Sequence, residues 1–172
     1  MKKVVLCGYM GCGKSTVGHI LSAKIDLPSF DLDDLVEKKA GLSVSEIFSK
    51  KGEIYFRRLE HEVYMEMMSG KESFVLALGG GTPAYANNHL LLKGNNVQSF
   101  FLKASIDTLY DRLIHEKHGR PLLAEKSEEE MKEHIAKHLF DRNYYYNQAN
   151  KVISVDGKSA DEVASEILEK LA

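Results

Sequence analysis

A chain of 172 residues has room for one domain and is long enough to bury its own hydrophobic core. Its formal net charge of −2 argues against general affinity for nucleic acid, which requires a strong basic excess. No apolar stretch approaches the roughly 18 to 20 residues of a spanning helix, and the first residues do not resemble a signal peptide, so we expect no membrane partner.

Helical and extended patterns alternate along the chain. Apolar residues at spacings of three and four indicate helices, and short apolar runs bounded by glycine or proline indicate strands. In the first half, the predicted elements are a strand at 3–7, a helix from 14 to about 24, a short strand at 29–30, a helix at 35–40, a short helix that Ser43 caps and that ends at Phe48, and a helix from 53 to about 68. In the second half, they are a strand at 74–78, a helix around 90–92, a strand at 97–102, helices at 106–114 and 128 to about 147, a strand at 151–155, and a helix at 160–171.

This alternation is typical of α/β proteins with a parallel sheet. We expect a single domain over residues 1–172, built as a three-layer α/β sandwich around a five-stranded parallel sheet. Residues 115–127 are polar, contain Gly119 and Pro121, and show no useful periodicity. That segment is long for a loop in a compact domain, which predicts a mobile lid or a binding segment.

A phosphate-binding motif follows the first strand. Residues 8–15 fit the pattern G-x-x-x-x-G-K-[ST] in full, with a strand before them and an amphipathic helix after them. The glycines let several N–H groups face one anion, Lys14 adds a full charge for the β and γ phosphates, and the Ser15 hydroxyl suits Mg²⁺. The alternative is a glycine-rich turn with a solvated lysine, which does not explain why a strand precedes these residues and a helix follows them. The predicted ATP-binding residues of the loop are Gly11, Cys12, Gly13, Lys14, Ser15 and Thr16.

The two cysteines lie within or next to this loop. Cys7 and Cys12 are five positions apart, and a disulfide between them would distort the phosphate loop. Reduced thiols in a reducing compartment are therefore expected, which favours the cytoplasm. Nothing in the sequence requires a partner chain, so we expect a monomer.

Acidic residues follow the second predicted strand. Asp31 and Asp33 lie where ligands bind in doubly wound sheets, beside the phosphate loop. On an extended segment their side chains would face opposite ways, so that Asp31 holds the Mg²⁺ water shell while Asp33 reaches a substrate hydroxyl. The alternative is that Asp31, Asp33 and Asp34 only cap the next helix, and for Asp34 we prefer that interpretation.

Five motifs, in order and spacing, resemble those of the shikimate kinase family over residues 4 to about 146, nearly the whole chain. Besides the phosphate loop, they are Asp31-Leu32-Asp33 followed by Gly41 to Phe48, Gly52 to Glu60, Gly79-Gly80-Gly81, and Arg120-Pro121-Leu122-Leu123. The resemblance implies a P-loop kinase of the nucleoside-monophosphate-kinase type. Its reaction would transfer the γ-phosphoryl group of ATP, with Mg²⁺, to the 3-hydroxyl of shikimate in aromatic amino-acid biosynthesis.

The resemblance also implies the role of each site residue. Asp33, Lys14 and Arg120 would be catalytic, Asp33 as base or aligner and Arg120, on the lid at about 115–127, as a cation for the transferring phosphoryl group. Arg112 would pack against adenine, and Ser15 and Asp31 would hold the metal. The acceptor-binding helices would span about 33–69, and the residues that bind shikimate would be Asp33, Arg57, Glu60, Gly79, Gly80, Gly81 and Arg142.

Two other functions stay open at this point. Another small-molecule kinase, such as a gluconate kinase, could share the loop and the fold, although it would not need the glycine turn together with the Arg57 segment. A binding module that has lost its chemistry would be expected to lack an acid or the lid arginine, whereas Asp31, Asp33 and Arg120 are all present.

Overall fold

The structure is a computed structural model that describes residues 2–116 and 126–171. Its strands are β1 (Lys3–Cys7), β2 (Ser29–Asp31), β3 (Phe74–Ala77), β4 (Val97–Lys103) and β5 (Lys151–Ser154). Its α-helices are α1 (Lys14–Ile25), α2 (Leu32–Ala40), α3 (Val44–Lys51), α4 (Glu53–Ser69), α5 (Ile106–Ile114), α6 (Glu128–Tyr146) and α7 (Ala160–Lys170). Short 3-10 helices span Thr82–Ala84 and Asn88–Lys93.

The described strands form one parallel sheet in the order β2-β3-β1-β4-β5, which confirms the predicted five-stranded sheet. β1 is the central strand, and Leu6 pairs with Ala77 on one side and with Phe100 on the other. All five residues of β1 are buried, as expected for a parallel strand that is covered on both faces.

Helices cover both faces of the sheet because successive strand side chains point to opposite sides. On one face, α1 packs so closely that a Cβ atom on Gly18 would lie 3.7 Å from Leu6 Cδ1 and 3.8 Å from Val75 Cγ1. On the other face, the thiol of Cys7 lies 3.8 Å from the carbonyl oxygen of Tyr146, at the end of α6. The predicted three-layer architecture is therefore confirmed.

The carboxyl ends of three neighbouring strands bring the predicted site residues together. β1 leads directly into the phosphate loop, β2 ends at Asp31, and β3 is followed by the glycine turn Gly79–Gly81. Since β2, β3 and β1 are adjacent, these three segments meet at one edge of the sheet.

The start of α2 differs from the prediction. The helix begins at Leu32, because the Asp31 carboxylate accepts a hydrogen bond from the Asp33 backbone N–H at 3.0 Å and caps it. Asp33 therefore lies in the first helical turn, and the expectation that both acids sit on an extended segment is wrong. Two smaller differences are that α3 continues to Lys51 behind a Ser43–Glu46 capping box, and that residues 88–93 form a 3-10 helix.

Most of the predicted lid, including Arg120, lies outside the described residues, so the lid stays a prediction. Within residues 2–116 and 126–171, no helix is both long and apolar enough to span a bilayer.

Candidate active site

The phosphate loop depends on glycine at its two ends. Gly8 has φ +148°, and a Cβ atom there would lie 2.7 Å from the Leu102 carbonyl oxygen of β4 and 2.9 Å from Cys12 Sγ. Gly13 has φ +99° and forms the N-cap of α1. Glycine adopts such backbone angles without steric cost, so the loop can turn its N–H groups toward the N-terminus of α1.

Lys14 lies inside the curve of this loop and is only 8% exposed. Its ammonium donates hydrogen bonds to the carbonyl oxygens of Gly8, at 2.7 Å, and of Tyr9, at 3.0 Å. The positive charge is therefore held at the helix N-terminus, where the helix dipole also favours an anion. This arrangement can bind a phosphate group.

Asp31 connects the phosphate loop to α2. Its Oδ2 accepts a hydrogen bond from the Ser15 hydroxyl, and its Oδ1 caps α2. The capping and functional interpretations of Asp31 are thus compatible. The hydroxyl and carboxylate are oxygen donors beside the phosphate loop, a set that fits Mg²⁺ held jointly with nucleotide phosphates. Among residues 2–116 and 126–171, no three His, Cys, Asp or Glu side chains form a metal cluster of their own.

Asp33 is the acid with the clearest electrostatic perturbation in the site. Burial, followed by the nearby carboxylates of Asp31 and Glu60, raises its pKa to about 6, although the Lys14 charge acts in the opposite direction. Perturbed carboxyl groups of this kind concentrate at functional sites. A carboxyl group with this pKa is largely ionised at pH 7 and can accept a proton.

Arg57 and Glu60 form an ion pair on α4, as their spacing of three residues predicts. Arg57 Nη1 donates to Glu60 Oε1 at 3.0 Å, and Glu60 is fully buried. The guanidinium reaches the glycine turn, because a Cβ atom on Gly81 would lie 2.5 Å from Arg57 Nη2. Glu60 Oε2 accepts a hydrogen bond from the Thr82 hydroxyl at 2.9 Å.

Arg142 approaches the same turn from α6. A Cβ atom on Gly80 would lie 3.5 Å from Arg142 Nη1 and 3.4 Å from the Met10 backbone nitrogen. Arg142 Nη1 is buried, and it finds no hydrogen-bond partner within the described part of the chain. Because an unpaired buried donor costs on the order of 1–3 kcal/mol, this atom suits a ligand acceptor.

Arg112 contacts the phosphate loop from α5. Its Nη1 donates to the carbonyl oxygens of Cys12, at 2.9 Å, and Gly11, at 3.3 Å. Thr16 is exposed on the first turn of α1. The predicted contact of Arg112 with adenine is not tested by these hydrogen bonds and stays a prediction.

A cavity of about 810 Å³ is lined by every predicted site residue that the structure describes. It is large enough for a nucleotide together with a small acceptor. Several lining residues were not predicted from the sequence. They include Val44 and Phe48 on α3, Phe56 on α4, Val155 and Lys158 in the connection from β5 to α7, and Ala160 and Val163 on α7. The apolar ones look like core positions in the sequence, but the β5–α7 connection could have been predicted because it leaves the same edge of the sheet.

Sequence and structure comparisons agree on one family. A family model described as shikimate kinase matches residues 10–172. The chain is 56% identical to a shikimate kinase of Flavobacterium johnsoniae, with full coverage of both chains, and 49% identical to one of Flavobacterium psychrophilum, with 97% coverage of each. A crystal structure of shikimate kinase from Bacteroides thetaiotaomicron matches with TM-score 0.88 and 30% identity, covering 98% of this chain and 97% of the other. The Acinetobacter baumannii enzyme in complex with shikimate matches with TM-score 0.87 and 31% identity, covering 99% and 92%.

Proposed function

The chain belongs to the shikimate kinase family, and from that premise we propose how its own residues transfer the γ-phosphoryl group of ATP to the 3-hydroxyl of shikimate. The enzyme is a phosphotransferase of aromatic amino-acid biosynthesis with an alcohol as acceptor. The observation that carries the proposal is a single cavity that is lined both by the phosphate loop and by the guanidinium groups of Arg57 and Arg142.

The acceptor binds between α4, α6 and the glycine turn. Arg57 and Arg142 hold the shikimate carboxylate, for which the guanidinium fork is well suited. Two observations support this assignment: Arg142 Nη1 has no hydrogen-bond partner among residues 2–116 and 126–171, and it lies close to Gly80. Glu60 orients Arg57, and the absence of side chains on Gly79, Gly80 and Gly81 leaves room for the ring.

Asp33 and Lys14 act on the reacting groups. Asp33 accepts the proton of the shikimate hydroxyl as its oxygen attacks the γ-phosphorus, and ADP leaves. Lys14 stabilises the charge on the transferring phosphoryl oxygens. Positioning and electrostatics account for most of the catalysis, because phosphoryl transfer needs little covalent help from the protein.

The nucleotide binds along the phosphate loop, through Gly11, Cys12, Gly13, Lys14, Ser15 and Thr16, with Arg112 beside adenine. Ser15 and Asp31 would hold Mg²⁺, and the hydrogen bond between their side chains supports that pairing. When bound, the ion neutralises charge on the β and γ phosphates.

The organisation of the enzyme follows from the same premise. We propose a single kinase domain over residues 1–172 with acceptor-binding helices at about 33–69, which is supported by the position of Asp33, Arg57 and Glu60 around one cavity. We also propose that the enzyme acts as a monomer. Use of ATP as co-substrate supports a cytoplasmic location.

ADP release from Mg-ATP by the purified protein tests the acceptor. Shikimate, gluconate and a nucleoside monophosphate are offered separately, and we expect release with shikimate alone. Release with gluconate instead would keep the phosphate-loop assignment and remove the acceptor roles of Arg57 and Arg142. A folded protein that binds ATP but is inactive with all three acceptors would favour a binding module.

Substitution of Arg57 tests the carboxylate clamp. We expect Arg57→Ala to raise the KM for shikimate about a hundredfold and to leave the KM for ATP nearly unchanged, because a charge-assisted bidentate contact is lost from the acceptor alone. Steady-state kinetics with each substrate varied in turn give both values.

Arg57→Lys is the matched control for the charge of Arg57. Lysine keeps a positive charge beside the buried Glu60 and loses only the planar fork, so its KM for shikimate should lie between those of the wild type and Arg57→Ala. An equal loss of ATP and shikimate binding in either variant would contradict the assignment.

A further inference from the structure

Thr82 has no role in the reaction proposed for this site, yet its buried side chain contacts the Arg57–Glu60 ion pair. It is fully buried at the start of the 3-10 helix Thr82–Ala84, directly after the glycine turn. Its hydroxyl donates to Glu60 Oε2 at 2.9 Å, while Glu60 Oε1 accepts from Arg57 at 3.0 Å. Each oxygen of the Glu60 carboxylate therefore has a different partner.

We propose that Thr82 is a positioning residue for shikimate binding. Its hydroxyl occupies one oxygen of the Glu60 carboxylate and so prevents Glu60 from forming two parallel hydrogen bonds with the Arg57 guanidinium. The proposal rests on the acceptor role of Arg57 given above. Carboxylates and guanidinium groups tend to pair through two parallel hydrogen bonds. With Oε2 held by Thr82, Glu60 accepts one N–H of Arg57, and the remaining N–H groups of the fork stay available to the shikimate carboxylate.

The Thr82 backbone is fixed well enough for its hydroxyl to act in this way. Its carbonyl oxygen accepts a hydrogen bond from Asn88 Nδ2 at 3.0 Å, and Asn88 Oδ1 is bonded in turn to His61 Nδ1 at 2.6 Å. Its backbone N–H donates to the Gly79 carbonyl oxygen at 3.2 Å. Thr82 is thus tied to both the glycine turn and α4, which carries His61, Glu60 and Arg57.

The hydroxyl also lies close to the reacting end of the cavity. A Cβ atom on Gly79 would lie 3.0 Å from Thr82 Oγ1, 3.0 Å from Glu60 Oε2 and 3.3 Å from Asp33 Oδ1. The Thr82–Glu60 hydrogen bond therefore runs beside the glycine turn, between the carboxylate clamp and the catalytic carboxyl group. A change in the orientation of Glu60 would therefore alter Arg57, the residue that Glu60 pairs with and that binds the acceptor.

Two substitutions separate the hydroxyl from the rest of the side chain. Thr82→Val keeps the shape and removes the hydroxyl, and we expect the KM for shikimate to rise about tenfold while kcat and the KM for ATP stay close to those of the wild type. Thr82→Ser keeps the hydroxyl and should retain the wild-type KM for shikimate. If Thr82→Val does not fold, Thr82→Ala removes the same hydroxyl without placing a second methyl group against Glu60.

Ser99→Ala is the control for loss of a buried hydroxyl elsewhere. Ser99 is fully buried on β4 and donates to the Leu92 carbonyl oxygen at 2.7 Å. This variant should lower the thermal unfolding midpoint and leave the KM for shikimate unchanged.

The outcomes distinguish this proposal from the acceptor assignment on which it rests. An unchanged KM for shikimate in Thr82→Val, or an equal rise in Thr82→Val and Thr82→Ser, would overturn the positioning role. A parallel rise in the KM for ATP would overturn it too, since that indicates general damage to the site. If Arg57→Ala leaves the KM for shikimate unchanged, the carboxylate clamp itself is wrong.

Discussion

Asp33→Asn is expected to lower kcat about a thousandfold at saturating ATP and shikimate. The asparagine amide has nearly the same shape as the carboxylate, so the site should still bind both substrates. It cannot accept the proton of the attacking hydroxyl, and general-base catalysis contributes roughly 10² to 10⁴ in rate. Steady-state turnover at neutral pH, followed by ADP release, measures the effect.

The pH dependence of the wild-type enzyme checks the same assignment. The pKa of Asp33 is raised to about 6, so the carboxyl group becomes protonated as the pH falls through that value. As a base it must be ionised, and kcat/KM for shikimate should therefore decrease below pH about 6. Asp34→Asn, an exposed neighbour in the same helical turn, should keep this pH profile and the wild-type rate. Retention of most activity in Asp33→Asn, or persistence of the same acid limb, would exclude Asp33 as the base.

Lys14→Met is expected to lower kcat by about two to three orders of magnitude. Methionine fills much of the same volume and removes the ammonium that the Gly8 and Tyr9 carbonyl oxygens hold inside the phosphate loop. Removal of one preorganised group that stabilises the transition state typically costs this much. Single-turnover phosphoryl transfer with enzyme in excess measures the chemical step without product release.

Lys3→Met is a closely matched control. Lys3 is 3% exposed at the opposite end of β1, and its ammonium also donates to two backbone carbonyl oxygens, those of Met68 and Gly70. Its loss should lower the thermal unfolding midpoint and leave kcat intact. Equal losses of kcat in the two variants would mean that Lys14 acts through the fold and not through the phosphoryl group.

Much of the fold follows from local patterns in the sequence. β1, the phosphate loop and α1 were predictable because the loop needs glycine at positive φ, and Gly8 and Gly13 have that geometry. The first residue of α2 was not predictable, since three nearby acids can each cap a helix and only the structure identifies Asp31. The 3-10 helix at Asn88–Lys93 has the same apolar spacing as a short α-helix, so periodicity does not separate the two.

For the site, the sequence identified the residues that belong to motifs of the family and missed those that do not. The resemblance to the family named Asp33, Arg57 and Glu60, and the described structure brings them around one cavity. Thr82 was missed because its partner Glu60 lies 22 residues away and threonine after a glycine turn carries no signal of its own. Phe48 and Lys158 were missed for a similar reason, since a residue that lines a cavity looks like any core or surface residue until the elements pack.

The central position of β1 in the sheet determines when this strand can pair during translation. β1 is made before its two neighbours, β3 at residues 74–77 and β4 at residues 97–103, so it has no sheet partner until about 70 further residues have been made. The Gly8 backbone packs beside the Leu102 carbonyl group only when β4 is present, and the Gly11 and Cys12 carbonyl oxygens accept hydrogen bonds from Arg112 only when α5 is present. Parallel pairing over such separations slows folding. During translation, the phosphate loop therefore lacks its contacts with β4 and α5 until those elements have been made. We expect ATP to bind only chains in which β1, β3 and β4 have already paired.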